Sequence, residues 1–199
     1  MDATILMPAS QSARFRLKWR SLVELVRSRA ETEGHRKLYT FLSEGSTPER
    51  SLSYAELDRR ARAIGACLQD SNAAGQRVLL LFPPGLDYIA AFFGCLYANA
   101  IAVPAYPPRQ NRNLDRLRKV VYDARPAIAL TTQMVMQEIE SGLGQYPDLN
   151  ALRWIAADGL APQWSTEWRD LHRAARQTED TLRDALSRAD AARRPAALT

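Results

Sequence analysis

Val78-Leu-Leu-Leu-Phe-Pro-Pro-Gly-Leu-Asp-Tyr-Ile-Ala-Ala-Phe-Phe-Gly-Cys-Leu-Tyr-Ala-Asn-Ala-Ile-Ala-Val103 is the stretch that decides the architecture. Its opening apolar run, residues 78–82, is short, rich in large aliphatic side chains and bounded by Pro83, Pro84 and Gly85, which reads as a strand buried on both faces. Residues 86–98 continue as an apolar helix, and 101–103 form a second short run ahead of Pro104. Together 86–103 reach the minimum length for a membrane span. Asp87 and Asn99 inside the run and Pro104 at its end argue instead for a buried helix followed by a buried strand.

Working outward, the alternation continues. Apolar runs at 127–130 and 154–156 are separated by helical patterns at 114–124 and 134–141, so strands recur about every 25 residues with a crossover helix between them. That rhythm predicts an α/β fold with a largely parallel sheet flanked by helices. No internal sequence repeat accompanies it. Upstream, 19–32 is amphipathic with Gly34 as its stop, and 38–42 alternates as a strand. A turn over 44–48 leads to Ser53, which with Glu56 three residues on forms a capping box opening a helix through Leu68. Leu57, Ala61, Ile64 and Leu68 are its apolar stripe, with Asp58, Arg59, Arg60 and Arg62 mainly on the other side; residues 72–75 close it.

The chain has 199 residues, 46% hydrophobic and 25% charged, enough for one core that buries about 70% of the unfolded surface. Its net charge of +5 would indicate a nucleic-acid partner only if the basic side chains gathered on one face. The densest stretch, 109–125, holds Arg109, Arg112, Arg116, Arg118, Lys119 and Arg125 but is interrupted by Asp115 and Asp123. It offers only Tyr122 for stacking, so it reads as a solvated helix face or, as the alternative, a phosphate-contacting surface. No nucleic-acid partner is expected. Residues 1–15 lack an apolar core behind a basic start, so no signal peptide is read and the cytoplasm is the expected compartment.

Cys67 and Cys95 are 28 positions apart within helical patterns and read as buried free thiols. His35 and His172 are isolated from other ligand-type side chains. The turns Phe82-Pro-Pro-Gly85 and Pro104-Ala-Tyr-Pro-Pro108 lie at strand ends, where open parallel sheets usually put their ligand crevices, or else only shape connections. The first has no glycine spacing and no following Lys-Ser/Thr, so it is not a phosphate cradle. No catalytic, cofactor-binding or metal-binding residue is assigned, and the substrate-binding residues are left open.

Three segments resemble the fatty acyl-AMP ligases, members of the adenylate-forming acyl ligases: Ser51-Leu-Ser-Tyr-Ala-Glu-Leu-Asp58, the run from Leu80 to Leu96, and Ile101-Ala-Val-Pro-Ala-Tyr-Pro-Pro108. Asp123-Ala124, Leu130-Thr-Thr132 and Trp154-Ile-Ala-Ala-Asp158 continue the pattern, so the resemblance covers about residues 19–169. It implies the first subdomain of the adenylate-forming ligase N-terminal domain. It also implies an enzyme that uses ATP and magnesium to turn a fatty acid into acyl-AMP and pyrophosphate, then passes the acyl group to an acyl carrier protein.

In that family a Ser/Thr/Gly-rich loop ending in Pro-Lys-Gly follows the region of Trp168, and a lysine comes much later. Residues 170–199 contain instead no glycine, lysine, Phe, Trp or Tyr, and are rich in alanine and arginine. Three parts are therefore expected: an N-terminal extension 1–18, a partial AMP-dependent ligase domain 19–169, and a divergent tail 170–199. The tail reads as a frayed exposed helix or disorder, with an interaction helix as the alternative. Its origin is either a shifted reading frame or a native gene end. Such a chain is expected to be a truncated ligase, inactive alone and needing no cofactor itself. The alternative is a non-catalytic interaction module that binds a partner ligase chain or an acyl carrier protein.

Overall fold

The computed structural model describes residues 19–42, 50–107, 114–143 and 146–193; the extension 1–18, the turn 44–48, Arg109 and Arg112 lie outside them. The element order is α1 (Leu22–Glu33), β1 (Lys37–Phe41), β2 (Arg50–Ser53), α2 (Tyr54–Asp70), β3 (Arg77–Leu81), α3 (Leu86–Tyr97), β4 (Ile101–Ala105) and α4 (Asp115–Ala124). After these come β5 (Ile128–Thr131), α5 (Gln133–Leu143), α6 (Pro147–Asn150), β6 (Arg153–Ala156), a 3-10 turn (Ala157–Gly159), α7 (Trp164–Glu167) and α8 (Leu171–Arg193).

Strands β3 to β6 form one parallel sheet in the order β4-β3-β5-β6. Side chains alternate across it, as the period of two requires. Val78, Leu80, Ile128 and Leu130 face a core shared with α2 and α3, in which Ile64, Leu68, Ala91 and Cys95 are buried. Leu79, Leu81 and Ala129 face the opposite core, closed by Leu117 and Val121 of α4, Val135 and Ile139 of α5 and Leu149 of α6. A third cluster packs α1 and Leu52 of the antiparallel β1-β2 pair onto the outer side of α2 and α3 through Val23, Val26, Leu57, Phe93 and Tyr97.

The α2–α3 contact is close because glycine stands at the crossing. A Cβ on Gly94 would lie 2.4 Å from Ile64 Cγ2, and one on Gly65 would lie 2.9 Å from Tyr97 Cβ. The capping box is in place: Ser53 N donates to Glu56 Oε2 (2.8 Å) and Glu56 N donates to Ser53 Oγ (3.3 Å).

Besides the short helices α6 and α7, which the sequence did not signal, three departures from the sequence reading bear on the packing. Strand β2 precedes the cap at Ser53, hidden in the sequence because Arg50-Ser-Leu-Ser offers one apolar side chain and takes its partner from β1. The run 101–103 is a sheet edge and not a buried strand: β4 pairs only with β3 among the described residues, and Ile101 is 52% exposed. An edge also accommodates Pro104, which has no N–H to give a second neighbour. Finally, Asp58 lies inside, 8% exposed, because Tyr97 and Arg62 satisfy its two oxygens.

Candidate functional site at the carboxyl edge of the sheet

From β3 the chain runs through α3 to β4 on one side, and then α4 returns it past β3 to β5 on the other. The strand order reverses between β3 and β5, and the crevice outside their carboxyl ends is where open α/β sheets take ligands. Here it is bordered by residues 82–85, 131–133 and 157–159. Thr131, fully buried, donates from Oγ1 to the carbonyl of Leu81 at 2.7 Å and pins the two strand ends together. Gly85 enters α3 in an almost fully extended conformation. Asp87, in the first turn of α3, is ion-paired with Arg60 of α2.

The amino end of α5 is closed by its own chain. Thr132 Oγ1 accepts from Val135 N (3.3 Å), and Asp158 Oδ1 accepts from Gln133 N (2.8 Å). A phosphate there would need those amides free and would meet the Asp158 carboxylate, so the amino end of α5 does not fit the phosphates of ATP. Among the described residues no three His, Cys, Asp or Glu side chains gather as a metal site, and no helix is long and apolar enough to cross a membrane.

The side chains singled out in the sequence are scattered. Burial pushes the Cys95 thiol up to about 12 and raises that of Cys67, so both are held as inert thiols. His35 is exposed on the rim of an open recess of about 610 Å³ between α1, β1 and α2. Ser53 and Glu56, which also line that recess, are engaged with each other in the capping box. His172 falls in α8. On α4, Leu117 and Val121 point inward while Arg116, Lys119 and Tyr122 are exposed, and Arg118 is held by Asp148 at 2.8 Å. That face is a solvated one.

A second polar cluster escaped the sequence reading. Tyr97 donates from its hydroxyl to Asp58 Oδ1 at 2.7 Å, and burial, reinforced by that carboxylate, pushes the phenol far above its ordinary range. Trp168 donates from Nε1 to the Tyr97 carbonyl at 2.8 Å, and its ring lies 5.1 Å from that of Tyr97. The signal available in the sequence was Gln69, a polar residue on the apolar stretch of α2; it is 6% exposed and bonded to the backbone of Arg169.

The family model described as AMP-binding enzyme matches residues 26–195. The chain is 38% identical over 152 residues to the medium-chain fatty acid acyl-carrier-protein ligase of Moorena producens, an alignment covering 74% of this chain and 26% of that protein. It is 34% identical over 151 residues to a long-chain fatty acid AMP ligase of Mycolicibacterium smegmatis, covering 74% and 24%. The fold matches the crystal structure of a fatty acyl-adenylate ligase from L. pneumophila, bound to acyl adenylate and pyrophosphate, with a TM-score of 0.69 and 38% identity. That match covers 77% of this chain and 26% of the other. The chain therefore spans about a quarter of the length of these relatives. Its parallel sheet, its strand-end turns and its sequence place it in the AMP-binding enzyme family, among the relatives of the fatty acyl-AMP ligases.

Proposed function

We propose that residues 19–169 are the opening scaffold of a cytoplasmic enzyme that adenylates a fatty acid with ATP and passes the acyl group to an acyl carrier protein. The observation that supports this most is the 38% identity to the Moorena ligase over 152 residues, carried on a fold shared with an acyl-adenylate-bound ligase. In such catalysis the charge developing at phosphorus is stabilised by cations and oriented amides. The amino end of α5 offers no free amides for this, because those of Gln133 and Val135 are bonded within the chain. The role of this segment is then to build and align a frame, and the 199-residue chain by itself does not adenylate.

The test is an exchange of segments. Residues 26–169 replace the matching part of the Moorena ligase, and fatty-acid-dependent exchange of pyrophosphate into ATP is measured for the hybrid and for the 199-residue chain. The hybrid should retain exchange and the chain alone should match a blank. A hybrid that melts cooperatively but is silent contradicts the scaffold reading, and exchange by the chain alone contradicts its inactivity.

A further inference from the structure

Residues 168–170 gather contacts from three helices at once. Tyr97 is the last residue of α3, so its carbonyl belongs to the end of the helix that has no partner within it. The Trp168 indole N–H caps that carbonyl at 2.8 Å. From α2, Gln69 grips the next residue by its main chain: Nε2 donates to the Arg169 carbonyl at 2.8 Å and the Arg169 N–H donates to Oε1 at 3.0 Å. From α1, Arg27 is ion-paired with Asp170 and its guanidinium lies 5.1 Å from the Trp168 ring. Arg62 of α2 lies 5.3 Å from the same ring and is held by Asp58 at 2.8 Å. Two cations, two carboxylates and one indole thus form a balanced cluster of opposite charges, and Gly65 leaves room for it: a Cβ there would lie 3.1 Å from Trp168 Cδ1.

Immediately beyond, the character of the chain changes. Leu171 N donates to the Arg169 carbonyl at 2.9 Å and α8 begins. Residues 177–186 are all exposed, including Leu182 and Leu186.

We infer that residues 168–170 are a clasp that fixes the direction in which the chain leaves the α/β unit, locking the exit to α1, α2 and α3 and aiming α8, whose residues 177–186 bury nothing. The grip by Gln69 uses only backbone atoms of residue 169, so it holds whatever side chain stands there. It supplies both a donor and an acceptor, as a neighbouring strand would. Trp168 and Gln69 are positioning residues: they act on the path of the chain and on no substrate.

The test measures direction and not stability. In the full chain carrying Gln137→Cys on the outer face of α5 and Asp180→Cys on α8, both exposed, spin labels report the distance distribution between the two helices. The native thiols are buried and do not compete for label. Trp168→Ala and, separately, Gln69→Leu should broaden the distribution at least about twofold, beyond the spread of ordinary domain motion. Protection of the β3 and β5 amides should stay unchanged. Gln69→Leu keeps a side chain of similar bulk on the apolar stretch of α2 while deleting both bonds to Arg169, so it stays informative even if Trp168→Ala unfolds. A distribution equally narrow in Gln69→Leu, or already as broad in the unsubstituted chain, overturns the inference.

Discussion

Strand β3 and helix α8 both carry leucines, and those leucines end in opposite conditions. Leu79, Leu80 and Leu81 are 0% exposed, while Leu182 and Leu186 of α8 are 59% and 67% exposed. Intrinsic propensity favours α8, with its alanines and long charged side chains, yet such preferences amount to at most about 0.7 kcal/mol per ordinary residue. Burying one leucine contributes about 1.5–3 kcal/mol relative to leaving it exposed. The sheet is specified because each of its strands meets a core on either face, and residues 177–186 of α8 are helix-forming without that burial. Tertiary contact, more than local preference, separates the body from its last helix.

The largest expected effect follows directly. Leu80→Ala should destabilise the chain by about 2–5 kcal/mol in urea unfolding, because the side chains of α2 and α3 packed against it can collapse only partly into the void. Leu186→Ala should stay within about 0.5 kcal/mol of the unsubstituted protein. Equal losses would mean that α8 packs as part of the body and would break the comparison.

A smaller effect sharpens it at the junction of β2 and α2. Ser53→Ala removes a cap and should cost about 0.5–2 kcal/mol. The Ser53 backbone N–H, and after it the Ser53 hydroxyl, hold the Glu56 carboxyl below its ordinary value of 4.5. A carboxyl lowered in the folded state contributes stability above its unfolded value and loses it as pH falls through the folded one. Solvent screening keeps this contribution small, since Glu56 is nearly at the surface. The urea midpoint should therefore fall between neutral pH and about pH 3, and Glu56→Gln should flatten part of that fall. An identical pH dependence in both proteins would show the reciprocal bond to be absent in solution.

Much of this architecture was legible in the sequence. The apolar runs that became β3 and β5 announced themselves as short continuous stretches, because strands buried on both faces carry no polar alternation, and β6 showed the same run although it is half-buried at the end of the sheet order. The capping box was readable because it is a local device, two side chains three residues apart. What escaped is what depends on distant partners. Strand β2 exists through its pairing with β1. Asp58 is buried through Tyr97, 39 positions away. The clasp joins Gln69 to Arg169 across 100 positions. The resemblance read from the sequence covers about residues 19–169, and the family model matches residues 26–195. The candidate crevice was foreshadowed by prolines at the strand ends, but the closing of α5 by Asp158 rests on a contact between residues 25 positions apart.

Native-state hydrogen exchange, resolved to single amides on the full chain, measures whether burial and not helix-forming composition holds the protein together. The amides of residues 79–81 should exchange only through global unfolding, while those of residues 177–186 exchange far faster, by local opening of a formed helix whose described side chains there bury nothing. Equal protection in the two segments would contradict the account.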